Sequence, residues 1–125
     1  KQSNSTKILR IWVDGSYRDG VAGYGIVTKS GSIRIYGRKP AKKSSEAELI
    51  AVQRALNYIR ANTKAIIYTD SQFAFEQSKS NLPSNVQVRR CPSKQLYHKE
   101  IHQLAHKLAN KGRKSSGWLC DDHHV

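Results

Sequence analysis

Short apolar runs broken by polar and glycine-containing stretches dominate the first third of the chain. Ile8-Leu9-Arg10-Ile11-Trp12-Val13 is rich in β-branched and aromatic residues and stops at Asp14, with Gly15 and Ser16 behind it. This pattern predicts a strand whose end delivers an acid. An Asp-Gly turn would also suit the residues, but polar residues continue through Tyr17-Arg18-Asp19-Gly20, longer than a tight hairpin needs. Val21 to Thr28 predicts a second strand, in which Gly23 and Gly25 mark bulges or close backbone approach. Ile33-Arg34-Ile35-Tyr36 alternates as a half-exposed third strand.

The period then changes. Ala47, Ala51, Ala55, Tyr58 and Ile59 recur at helical spacing, predicting a helix from about Glu46 to Ala61. Ser44 or Ser45 ahead of Glu48 forms a capping-box pattern at its start. Ile66-Ile67-Tyr68 predicts a fourth, buried strand that delivers Thr69 and Asp70. Ser71 to Ser80 predicts a short helix, and Val86-Gln87-Val88 a brief strand. A last helix is expected from Pro92-Ser93 to Gly112, with Ile101, Leu104, Ala105 and Leu108 on one face.

The order β-β-β-α-β-α-β-α implies an α/β fold: an antiparallel meander followed by strands that pair in parallel through right-handed crossovers. One mixed five-stranded sheet flanked by helices results. With 125 residues the chain fits a single domain, expected over residues 7–112. Residues 1–6 and 113–125 are expected as flexible tails with little regular structure.

Charge narrows the function. Lys and Arg number 22 against 9 acids, a formal net charge of +13, which points to a polyanionic partner such as nucleic acid. No apolar run approaches the roughly 20 residues of a spanning helix, so no membrane partner is expected. Cys91 and Cys120 lack metal-type spacing and suggest ordinary thiols in a reducing, intracellular setting.

Acids in so basic a chain stand out. Asp14 ends the first strand, Asp70 ends the fourth, and Glu48 opens the helix between them. Each could serve as a turn or cap residue. If the first and fourth strands are neighbours, however, their ends bring two carboxylates within metal-binding distance, with the helix starting above them. Such oxygen ligands hold divalent cations, and a pair of ions can hydrolyse a phosphodiester.

These residues also carry a family resemblance. VDGS (Val13 to Ser16) followed by AGYGIV (Ala22 to Val27), SSEAELIA (Ser44 to Ala51) and YTDSQ (Tyr68 to Gln72) occur in order. In this the chain resembles the type 1 ribonucleases H and the RNase H domains of reverse transcriptases and retroelements, over Ile11 to about Ala109. The resemblance implies an RNase H-like fold and an endonuclease that cuts the RNA strand of RNA–DNA hybrids with Mg²⁺ or Mn²⁺, two ions in all. It implies Asp14, Glu48 and Asp70 as the central metal ligands. Ser16, Ser44, Ser45, Ser71 and Gln72 fall where family members touch the hybrid, although each also suits a cap or turn. Lys43, with Lys39, Lys42, Arg89, Arg90 and Lys94, would meet phosphates.

Two departures from the family pattern matter. The chain passes from Ser80 through Pro83 to Val86 without the extra helix and basic loop of many members. Body or tail charge, or a fused or upstream domain such as a reverse transcriptase, must then supply binding. The usual fourth carboxylate is also replaced by His102 or His106. Counting from the last strand favours His102, but Ala105-His106-Lys107-Leu108-Ala109 fits the family motif at every position except the acid, so His106 is the preferred of the two. His98, His102 and His106 on one helix face could alternatively hold a transition metal, and Cys120-Asp121-Asp122-His123-His124 also looks ligand-like. No Cys or acid clearly joins the three histidines, however, and nothing orders the tail, so both are expected to be solvated. The rival functions are a non-catalytic RNA- or hybrid-binding module and another nuclease of this fold, such as a resolvase.

Overall fold

The computed structural model describes residues 8–28, 33–91, 96–115 and 123–124, without the side chains of 96–99, 123 and 124. Strands β1 (Leu9–Arg18), β2 (Val21–Thr28) and β3 (Arg34–Pro40) form the meander. Helix α1 (Ser44–Leu56), β4 (Ala65–Thr69), α2 (Gln72–Ser78), β5 (Val86–Arg90), α3 (Leu96–Arg113) and a two-residue strand, β6 (His123–His124), follow. The sheet order is β5-β4-β1-β2-β3-β6. β1, β2 and β3 pair antiparallel, whereas β4 is parallel to both β1 and β5. The expected mixed sheet of five strands is present, with β6 added at the β3 edge.

Parity along β1 divides the interior. Ile11 and Val13 join the core beneath α1, with Ile67 and Ala74. Trp12 lies on the opposite face with Ile66, Tyr68 and the α3 residues Ala105 and Leu108. Trp12 and Tyr68 stack there, ring centroids 4.7 Å apart. Because strand side chains alternate, Asp14 and Ser16 share the α3 face with Trp12, and Asp70 shares it with Tyr68.

Glycine sets how closely the helices approach. A Cβ on Gly15 would lie 2.5 Å from the Ala47 carbonyl carbon and 2.7 Å from the Glu48 nitrogen, so only glycine lets α1 start against β1. Gly23 and Gly25 act in the same way beneath α3, where a Cβ would meet the Ala109 oxygen at 2.1 Å and the Ala105 oxygen at 2.2 Å. Their role is close helix approach, one of the two readings open from the sequence.

Several boundaries differ from expectation. β1 does not stop at Asp14. It pairs with β2 as far as Arg18↔Val21 and turns through Asp19-Gly20, both at positive φ (50° and 82°). This is the tight hairpin that the polar run disguised. α1 begins at Ser44 and ends at Leu56, five residues short of Ala61. Beyond it Asn57, Tyr58 and Ile59 donate to carbonyls three residues back, the tightening common at helix ends. Residues 79–85 join α2 to β5 with no helix between them. The irregular tail expected from residue 113 is corrected at two places: α3 includes Arg113, and His123–His124 pair with Tyr36 and Ile35. Lys94, the side chain of His98 and Cys120 to Asp122 lie outside the described residues. No described helix is long and apolar enough to cross a membrane.

Candidate active site

The parallel register determines where the two aspartates meet. β1 and β4 pair from Leu9↔Ala65 to Trp12↔Tyr68. Asp14 and Asp70 each lie two residues beyond that last pair, on the same face of adjacent strands. Past this point β1 continues along β2 while β4 turns into α2. The parting of the two strands opens the space that the acids share.

Glu48 enters from the other side of the sheet. The expected capping box does not form: Lys43 is the N-cap residue of α1 and makes no side-chain cap bond. Instead Glu46 Oε1 accepts from the Lys42 backbone N–H at 2.6 Å. Glu48 is thereby free to accept from the Gly15 N–H at 3.0 Å. Asp14 Oδ1 accepts from the same N–H, also at 3.0 Å, so one amide gathers two carboxyl groups.

α3 closes the site from above, and both candidate histidines reach it. His102 is 4 % exposed, and its Nε2 lies 3.1 Å from Asp70 Oδ2. That contact is close but poorly aligned for a hydrogen bond, and neither ring nitrogen has a directed partner. It is best described as an ion pair. His106 Nδ1 lies 2.7 Å from Asp14 Oδ2, and its side chain is 57 % exposed. Both registers weighed from the sequence therefore touch an acid: successive turns of one helix meet neighbouring strands.

The electrostatics follow from three acids in a confined, half-buried space. Burial, and then the charges of Asp14 and Asp70, push Glu48 up to about 9 from its ordinary 4.5, so it holds a proton at neutral pH. Burial and the Asp70 charge raise Asp14, against the pull of both histidines. Contact with His102 lowers Asp70 despite desolvation. Burial opposes charge on His102, but Asp70 and Asp14 outweigh it, and the imidazole is raised above 6.5. The metal-free site therefore holds a proton on Glu48, and Asp70 and Asp14 favour the charged form of the His102 ring.

The remaining candidates divide. Ser16 Oγ donates to Asn110 Oδ1 at 2.6 Å and accepts from Arg113 Nε at 2.9 Å. Ser71 caps α2, its Oγ accepting from the Ala74 N–H at 3.1 Å. Gln72 Nε2 donates to Glu76 at 2.7 Å. Ser44 is exposed and Ser45 half-buried in the first turn of α1. Lys43 lies 5.8 Å above the Phe73 ring. Asn110 and Arg113 were not singled out from the sequence. Their spacing from His106, four and seven residues along one helix face, was the available signal.

The donor set suits a cation. One ligand atom each from Asp14, Asp70 and His102 lies within 4.8 Å of the others. Hard carboxylate oxygens match Mg²⁺ or Mn²⁺.

The family model for RNase H matches residues 6–120. A search of curated proteins finds no match.

Proposed function

The chain belongs to the RNase H family, and on that premise we propose that it is an endonuclease hydrolysing the RNA strand of RNA–DNA hybrids. In this reading Asp14, Glu48 and Asp70 hold two divalent cations, Mg²⁺ or Mn²⁺. The observation that carries it is the convergence of Asp14, Asp70 and His102 within 4.8 Å in a protein of net charge +13. Carboxylates brought this close repel one another, and a bound cation would relieve that repulsion.

When bound, the cations supply charge neutralisation at the scissile phosphate and a nucleophile at neutral pH. The chain's own residues do the rest. Asp70, lowered by His102, is ready to ligate as an anion. Glu48 must release its proton to join it. The Gly15 N–H keeps Glu48 and Asp14 aligned, because one donor bonds to both carboxyl groups. His106 holds the second Asp14 oxygen, fixing the carboxylate plane. Ser16, Ser44, Ser45, Ser71, Gln72 and Lys43 are proposed to meet the hybrid, where hydroxyl and amide groups read 2′-OH groups and groove shape.

Incubating the chain with an end-labelled hybrid and Mg²⁺ tests the reading. RNA-strand cleavage lost on chelation and in Asp70→Asn supports it. An intact RNA strand under those conditions refutes it. One observation favours a second reading, a non-catalytic hybrid-binding module: two imidazoles, not a fourth carboxylate, approach the acids. That module would bind hybrid without cutting it.

A further inference from the structure

Arg113 is the last residue of α3, where any cation complements the helix dipole. That accounts for a positive charge but not for its placement. The side chain is half-buried, and its Nε donates to Ser16 Oγ, two residues beyond Asp14 on the same face of β1. Ser16 is itself held by Asn110, one turn earlier on α3. No carboxylate pairs with Arg113 among the described residues.

A planar guanidinium anchored through Nε holds its two terminal NH₂ groups in a fixed fork, the geometry that takes a phosphate by two parallel hydrogen bonds. Its side-chain freedom is already spent on the Ser16 contact, so closing on an anion costs little further entropy. Seven residues separate it from His106, which touches Asp14. That is about 10 Å along the helix axis, or roughly three base steps of a nucleic-acid strand.

We propose that Arg113 is a preorganised phosphate clamp, anchored by Ser16 and Asn110, that grips the substrate backbone within about three base steps of the phosphate being cut. The assignment rests on the hybrid-cleaving reading above. It also identifies a local substitute for the basic insertion that is missing between α2 and β5: substrate is held by the C-terminal turn of the helix that closes the active site. Lys107 and Lys114, exposed on neighbouring faces of the same stretch, add a diffuse field around the clamp.

The test is hybrid binding by the full chain in the presence of chelator, across a range of salt. Losing one phosphate contact reduces the slope of log K against log salt by about one. Arg113→Gln should show that reduction and bind on the order of tenfold more weakly, the scale of one charge-assisted contact. Arg113→Lys should keep the slope but recover only part of the affinity, since it lacks the fork. Lys79→Gln, which removes an equal charge at the C-cap of α2, should leave the slope unchanged. A hybrid series carrying one neutral methylphosphonate each should contain a position that weakens the wild type but not Arg113→Gln. An unchanged slope in Arg113→Gln with only its melting temperature lowered would make Arg113 a brace for α3 and overturn the clamp, as would the lack of any such position. If the wild type still cuts hybrid with Mg²⁺ in that case, the active-site reading survives. If the wild type cuts no hybrid at all, both fall.

Discussion

Glu48 and Gly15 are joined by a 3.0 Å hydrogen bond from the Gly15 N–H to Glu48 Oε1, across the join between α1 and β1. The bond requires that Gly15 carry no side chain, because a Cβ there would press on the Ala47 and Glu48 backbone. One missing methyl thus sets the distance between a helix start and a strand, and with it the spacing of Glu48 from Asp14.

Gly15→Ala should therefore lower stability by about 1–3 kcal/mol, the usual cost of overpacking a rigid contact. Cleavage should fall further than stability explains, since α1 must shift and carry Glu48 with it. Thermal melts and hybrid cleavage of the same preparation check this. A stable variant with wild-type cleavage would show that the close approach is not needed.

Asp14→Asn and Asp70→Asn should each leave a folded protein that has lost most hybrid cleavage. The loss should exceed the roughly 10–100-fold typical of removing an outer-sphere partner of a metal site. Asp70→Asn has an added effect in metal-free protein. The Asp70 carboxyl is held below its ordinary 3.8, so its contribution to stability is present above that value and is lost as pH falls through the lower folded value. The variant should lack that acid-side loss of stability. Circular dichroism melts from pH 2 to 6 would detect it.

The two aspartates were legible because each ends an apolar run on a strand, and parallel neighbours bring such ends together. The continuation of β1 to Arg18 was not. Gly15 to Arg18 has no apolar alternation, and pairing with Val21 to Tyr24 of β2 is what holds it extended. Glu48 looked like a cap by spacing alone. Its release from that role depends on Glu46 capping the Lys42 amide, a contact no periodicity reveals. Asn110 was not singled out and Arg113 fell in the expected tail, because the Ser16 contacts that join them are tertiary. The pairing of His123–His124 with β3 is tertiary, and two residues carry no period from which to infer it.

With Glu48 as a proposed ligand, metal binding should depend on pH. Folding raises its carboxyl from 4.5 to about 9, so between those values the native metal-free chain binds the extra proton and stability falls as pH rises. Glu48→Gln should flatten that part of the profile. Mg²⁺ should stabilise the wild type more at pH 8.5 than at pH 6 and should release protons on binding in weakly buffered solution. Proton uptake on Mg²⁺ addition, or an equal Mg²⁺ effect at both pH values, would contradict a protonated Glu48.

His102 poses the sharpest question, because it is buried against Asp70 and raised above 6.5. A group raised on folding adds stability that is complete below its unfolded value and is lost as pH rises through the folded one. His102→Asn keeps polarity and approximate size but removes the charge. Metal-free protein should therefore lose stability near and below neutral pH, where Asp14 and Asp70 repel without compensation, and little at high pH. Metal binding reverses the argument. Because a cation would compete with the charged form of the His102 ring, the Mg²⁺ affinity of the wild type should climb with pH, and His102→Asn should weaken that dependence. A neutral imidazole also favours Mn²⁺ over Mg²⁺. If His102 ligates, the wild type should prefer Mn²⁺ and His102→Asp should shift the preference towards Mg²⁺. His106, more exposed and bonded to Asp14, should change metal preference less when replaced by Asp. The opposite ranking, with His106→Asp restoring Mg²⁺ dependence and His102→Asp inert, would move the fourth ligand one turn along α3 and leave His102 as a counter-charge alone.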